Sequence, residues 1–162
     1  MCVYFGETQP HDRMANGRFI GTSEQKTDEK NRIIIPVKWR DALGADCYLC
    51  AAPEGCIFIY TVEQWIRVTD QLADYAHNTT ERSKQRQFYY GASEAKVDKQ
   101  GRVTLTSILM DRVGVDKEIV VNGCGNRIEI WAKDRWDAGP GSPLHSENGM
   151  IDEAEYPDDI NW

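Results

Sequence analysis

Apolar residues along this 162-residue chain come in short β-branched or alternating runs separated by polar turns, with one helical stripe in the middle. Residues 19–27 read as a strand, Asp28-Glu29-Lys30-Asn31 as a turn and residues 32–35 as a returning strand rich in Ile. Pro36 can open a helix at its first turn, and residues 37–43 supply a short one that stops at Gly44. Residues 46–51 and 56–61 form a hairpin-like pair around Pro53-Glu54-Gly55. The order then recurs: strand 92–97, turn 98–101, strand 102–105, and a short helix N-capped by Thr106 that ends at Gly114. Strands 118–122 and 127–131 close the second set around a turn at 123–126. Between the two sets, Trp65, Val68, Leu72 and Tyr75 recur at helical spacing, and a second helix runs from about Glu81 to Tyr90. That stripe is read as core.

The recurrence is one of residues as well as elements. Gly21/Gly91, Ser23/Ser93, Glu24/Glu94, Lys26/Lys96, Asp28/Asp98, Arg32/Arg102, Asp41/Asp111, Gly44/Gly114 and Asp46/Asp116 coincide at one fixed offset of 70 residues. A one-residue shift then aligns Ile57, Ile59, Tyr60 and Trp65 with Ile128, Ile130, Trp131 and Trp136. The unit has been duplicated, and a module used twice doubles any surface group it carries. Binding contacts come in equivalent pairs within one chain far more often than catalytic groups do. Five segments follow: a leader at 1–16, a first unit at 17–63, connecting helices at 64–90, a second unit at 91–137 and a tail at 138–162. Leader and tail are expected to be disordered or loosely held.

Charge changes the picture only once it is located. The net charge is −7, but residues 137–162 hold seven acids and no Lys or Arg, leaving 19 acidic against 19 basic residues before them. The body is neutral and its duplicated loops are locally basic, so an acidic total does not exclude an anionic partner. No apolar run reaches membrane-spanning length, and the first residues lack the pattern of a signal peptide. The five cysteines are odd in number. Cys47 and Cys50 form a C-x-x-C, but on a strand their odd separation points them to opposite faces, a poor chelate. Buried free thiols in a reducing cytoplasm are expected. His11, His77 and His145 are scattered, and Ser23 and Ser93 lack an activating neighbour in sequence. No enzyme, metal site or cofactor is expected.

The chemistry lies in D-x-x-N-R at 28–32 and D-x-x-G-R at 98–102. A tight turn needs a residue that accepts positive φ. Gly101 does so freely, and Asn31 is the commonest substitute. Asp28 and Asp98 begin the turns, where a carboxylate can accept turn N–H groups or hold the nearby Arg. Arg32 and Arg102 leave them with planar forks suited to phosphate or guanine. Lys30 and Lys99 add charge on the loops, and Lys26 and Lys96 just before them. Two readings stand: an Asp–Arg clamp that merely locks the turn, or a nucleic-acid contact. Duplication with retained lysines favours the second.

The two G-x-S-E-x-K-x-D-x-x-[NG]-R repeats, the I-I-I-P after the first, and G-N-R-I-E-I-W-A-K-D-R-W at 125–136 resemble the MraZ family over roughly residues 17–136. The resemblance implies an α+β, β-rich fold of two tandem AbrB-like swapped-hairpin units, forming a pseudo-two-fold β-barrel with short flanking helices. It implies a transcriptional regulator that binds double-stranded DNA through Arg32 and Arg102. It further implies direct repeats upstream of the division and cell-wall gene cluster containing the regulator's own gene, a ring-like homo-oligomer, and a cytoplasmic, nucleoid-associated location. Three departures stand out: Asn31 for the usual Gly, Leu105-Thr106-Ser107 where the family carries a Pro-containing segment, and the added leader and acidic tail. The competing expectation is a protein-interaction module of the antitoxin type, working through that tail on a partner the sequence does not identify.

Overall fold

The computed structural model describes residues 18–139 together with Pro157 and residues 160–162. Leader 1–16 and most of tail 138–162 lie outside the described residues. Among these residues eight strands form: β1 (Phe19–Lys26), β2 (Arg32–Ile34), β3 (Asp46–Ala51), β4 (Ile57–Thr61), β5 (Ser93–Lys96), β6 (Arg102–Thr104), β7 (Glu118–Gly125) and β8 (Ile128–Ala132). Five helices accompany them among the described residues: α1 (Val37–Leu43), α2 (Val62–Tyr75), α3 (Thr79–Tyr89), α4 (Ser107–Val113) and α5 (Lys133–Asp137). Thr61 caps α2, Asn78 caps α3 and Thr106 caps α4, each with its side-chain oxygen on a first-turn N–H.

The strand order of the main sheet, β1-β7-β8-β4-β3-β5, is a palindrome in the two copies. β1 of the first copy pairs with β7 of the second along its whole length, and β5 of the second pairs with β3 of the first. Each copy thus completes the other's hairpin. β4 meets β8 at the centre, with Phe58 opposite Glu129. The remaining strands, β2 and β6, pair only with each other, Ile33 opposite Val103. Two further bonds extend this ribbon symmetrically: Ile35 N–H to Gly101 C=O at 2.7 Å and Leu105 N–H to Asn31 C=O at 2.8 Å.

The α+β class is as expected. The closed barrel is not: β1 and β5 stand at opposite edges of an open six-stranded sheet, and no pairing joins them among the described residues. The short β2 and β6, three residues each, leave the sheet after their turns and satisfy their backbone groups on one another. Gln25 bridges part of the gap. Its side-chain amide donates to Ile34 C=O at 2.7 Å and accepts from Ile34 N–H at 3.0 Å, standing in for a strand. Ala95 occupies the equivalent place in the second copy and cannot do this.

Both faces of the central strands are buried. Ile57, Ile59, Ile128 and Ile130 share one core with Ile33, Ile35, Val103 and Leu105 of the ribbon arms. On the α2 side, Trp65 stacks on Tyr48 at 4.9 Å and on Phe88 of α3 at 5.6 Å. The chain's last described residues close over this helical pair. Asn161 exchanges two hydrogen bonds with the Gln71 side chain, Trp162 packs on Phe88 at 5.2 Å, and Asn126 donates to Trp162 C=O.

The turn expected at 123–126 sits further along. β7 continues to Gly125, and the reversal is closed by Cys124 N–H to Arg127 C=O. Gly123 serves a different need: it faces Gly21 on β1, and a Cβ there would overlap the main chain of Phe19 and Ile20. Cys47, Cys50 and Cys56 are buried thiols without disulfides. Burial pushes the Cys47 thiol up to about 12 and the others higher, so none is a thiolate at neutral pH. Among the described residues no helix is long and apolar enough to cross a membrane.

Candidate nucleic-acid interface

The two D-x-x-x-R loops fold into the same turn. Asp28 Oδ1 accepts the N–H groups of Lys30 and Arg32, both at 2.9 Å, and its Oδ2 accepts Arg32 Nε at 2.6 Å. Asp98 does likewise with Gln100 N–H at 2.9 Å, Arg102 N–H at 2.8 Å and Arg102 Nε at 2.7 Å. Reciprocal main-chain bonds close each loop: Asn31 N–H to Asp28 C=O at 3.0 Å, and Gly101 N–H to Asp98 C=O at 2.9 Å. Asn31 at φ 59° and Gly101 at φ 77° hold the left-handed position that each turn requires.

The clamp expected at each turn is present. Each aspartate fixes its arginine through Nε, and among the described residues Nη1 and Nη2 of the fork donate no hydrogen bond. Main-chain N–H bonds from the Arg, opposed by burial and joined by the guanidinium, hold the Asp28 and Asp98 carboxyls below their ordinary value. Such a depressed group contributes at any pH above that ordinary value, and the contribution is lost as pH falls through the folded one. The carboxyl carbon shifts of Asp28 and Asp98 are accordingly expected to titrate below the usual carboxylate range.

Register settles where the arginines stand. Arg32 faces Thr104 and Arg102 faces Ile34 across the ribbon, so all four side chains share one surface, opposite buried Ile33 and Val103. Arg32 and Arg102 are diagonal neighbours, roughly 7–8 Å apart at Cα. Their side chains retain 24% and 31% exposure, intermediate between loose surface and core. Ile34, 51% exposed, stands opposite Arg102 and next to Arg32 on the same face of β2. Ile34 and its copy-equivalent Thr104 escaped the sequence reading, although strand alternation from Arg32 and Arg102 points to both.

The lysines divide. Lys30 and Lys99 are exposed on the loops. Lys96 Nζ instead reaches Asp46 of the other copy at 3.0 Å, and that hydrogen bond raises its pKa. Lys26 lines a surface hollow with Asp116, the copy-equivalent of Asp46. The recurrence of Lys at 26 and 96 places each near an aspartate of the other copy, in an ion pair at 96 and along a shared hollow at 26.

Gly101 has a second constraint. A Cβ there would overlap the guanidinium of Arg40, which comes from α1 of the other copy. Gly101→Ala is expected to destabilise the fold by more than about 1 kcal/mol, from positive φ and lost space together. Asn31→Gly should be close to neutral by comparison. Urea unfolding of both variants checks this, and equal costs would contradict it.

A family model described as "MraZ protein, putative antitoxin-like" matches residues 18–87 and 88–139, dividing the chain between the copies. The chain is 40% identical over 120 residues to a transcriptional regulator MraZ of Lachnoclostridium phytofermentans, covering 74% of this chain and 85% of that one. It is 44% identical over 123 residues to the Lactobacillus helveticus protein of the same name, covering 74% and 85%. To that of Heliobacterium modesticaldum it is 34% identical over 119 residues, covering 73% and 83%.

Proposed function

The chain belongs to the MraZ family, and from that premise we propose that it is a transcriptional regulator that reads DNA with the outer face of the β2–β6 ribbon. The observation that carries this reading is the pair of identically clamped arginines, Arg32 and Arg102, in register on one exposed face. A major groove about 12 Å wide admits a two-stranded ribbon. The diagonal spacing spans about two base-pair steps of ~3.4 Å. Arg Nη groups would take guanine O6 and N7, Ile34 and Thr104 would meet thymine methyls, and Lys30 and Lys99 would hold the flanking phosphates.

One chain offers few base contacts, so selection of a promoter calls for several chains on repeated sites. Direct repeats upstream of the protein's own gene cluster, bound by a ring-like homo-oligomer at the nucleoid, meet that need. Linked contacts raise overall affinity by roughly 10²–10⁴. The test is a gel-shift titration on DNA from upstream of the gene, against scrambled competitor, at two salt concentrations. Specific shifts that weaken steeply with salt are expected. A folded protein that shifts both sequences alike would overturn the reading.

The antitoxin wording of the matched family description keeps one other reading in play, a protein partner held by the acidic tail. Pull-downs with and without residues 137–162 separate the two. A partner retained only by the full chain would favour that second reading.

A further inference from the structure

The two loops look equivalent, but their surroundings are not. At the second loop, the Arg40 guanidinium of α1 occupies the space where a Cβ on Gly101 would stand, its Nε donating to Ile35 C=O at 2.9 Å. Ile35 N–H in turn binds Gly101 C=O at 2.7 Å, so Arg40, Ile35 and the turn are locked together. At the first loop the residue in the equivalent place is Met110 of α4, lining one hollow with Asn31. The substitutions match: glycine where an arginine needs room, asparagine where a methionine does not.

Arg40 also differs from the other two arginines in how its charge is met. Arg32 and Arg102 each hold an aspartate, whereas no carboxylate pairs with Arg40 among the described residues. Of five guanidinium N–H donors, one is used among the described residues, Nε on Ile35 C=O. A half-buried cation seated on a loop that also carries Lys99 and Arg102 is poised for an anion.

Resting on the DNA reading above, the geometry points to Arg40 as a third arginine of the nucleic-acid site, serving the second loop alone and contacting a phosphate beside it. The chain then presents an unequal pair: Lys99, Arg102 and Arg40 at one end of the ribbon, Lys30 and Arg32 at the other. An unequal pair binds with a fixed polarity, as sites repeated head to tail require. A symmetric pair would fit either orientation.

The experiment compares wild type, Arg40→Met, which copies the first loop's arrangement, and Arg40→Gln, which keeps a donor to Ile35 without the charge. Binding to the specific duplex is measured across a salt series, with circular dichroism and thermal melts as folding controls. Loss of one phosphate contact flattens the slope of log K against log salt by about 0.9, and both variants should show it while folded. The converse variant, Asn31→Gly with Met110→Arg, should steepen the slope by a similar amount. Wild-type slopes in folded Arg40→Gln, alongside lost binding in Arg32→Ala and Arg102→Ala, would overturn this inference and leave the DNA reading standing. No specific binding by wild type would remove both.

Discussion

The double substitution Arg32→Ala, Arg102→Ala is expected to abolish sequence-specific DNA binding while the protein stays folded. A bidentate arginine–guanine contact discriminates by about 1–3 kcal/mol. Losing both removes about 2–6 kcal/mol per chain, roughly 30-fold to 10⁴-fold in affinity. An assembly that holds several chains on one DNA would multiply the loss. The fold should tolerate the change because these are exposed ion pairs, worth about 0–1 kcal/mol each. The bonds that shape the turns survive: Asp28 and Asp98 accept main-chain N–H groups from positions 32 and 102, which alanine still supplies. Each single variant should lose part of the affinity. Anisotropy titrations on specific and scrambled duplexes read the result, and specific binding retained by the double variant would sink the assignment of the ribbon.

The largest effect on stability is expected at the centre of the sheet. Glu129 is buried directly opposite Phe58, accepting Arg127 Nη2 at 3.0 Å and Trp131 Nε1 at 3.0 Å. Arg127 lies over the Phe58 ring at 4.5 Å from its centroid. Removing the carboxylate by Glu129→Leu strands a guanidinium and an indole N–H in an apolar setting, a class of change that costs about 3–5 kcal/mol. The lower end applies, because Arg127 keeps 20% exposure and some water. A double variant, Arg127→Met with Glu129→Leu, should recover much of the loss, since a well-packed apolar replacement of a whole buried pair is often neutral or better. Chemical denaturation of the single and double variants tests this. A Glu129→Leu protein as stable as wild type would show that the pair contributes nothing to the junction.

Positions of elements were readable from sequence because the same pattern appears twice, each appearance checking the other. Turn chemistry was readable too: Asn31 adopts φ 59° where Gly101 adopts φ 77°. The partners of each strand were not, since alternation along β1 says which face is inward and nothing about β7, about 100 residues away. The exchange of strands between copies came from family resemblance, which also suggested a closed barrel where the sheet is open. Contacts between copies were the least legible. Lys96 with Asp46, Arg40 on Gly101 and the tight approach of Gly123 to Phe19 each join segments far apart in the chain. Gly123 read as a turn residue because close backbone approach and chain reversal demand the same residue. The docking of Trp162 on Phe88 was invisible in a segment that carries six acids and no Lys or Arg.

The pairing of β1 with β7 also sets a timetable. Ile20 is opposite Cys124, so as the protein is synthesised the first strand emerges with its partner still about a hundred residues from being made. At roughly 5–20 residues per second, β1 waits on the order of 5–20 s with its main-chain hydrogen-bonding groups unpaired and Phe19, its one buried side chain, uncovered. Throughout that interval the complementary strand exists only in finished copies or in chains further along on neighbouring ribosomes. A newborn chain of this protein is therefore exposed to capture by its own siblings, and its crossed-over architecture can be completed between chains before it can be completed within one.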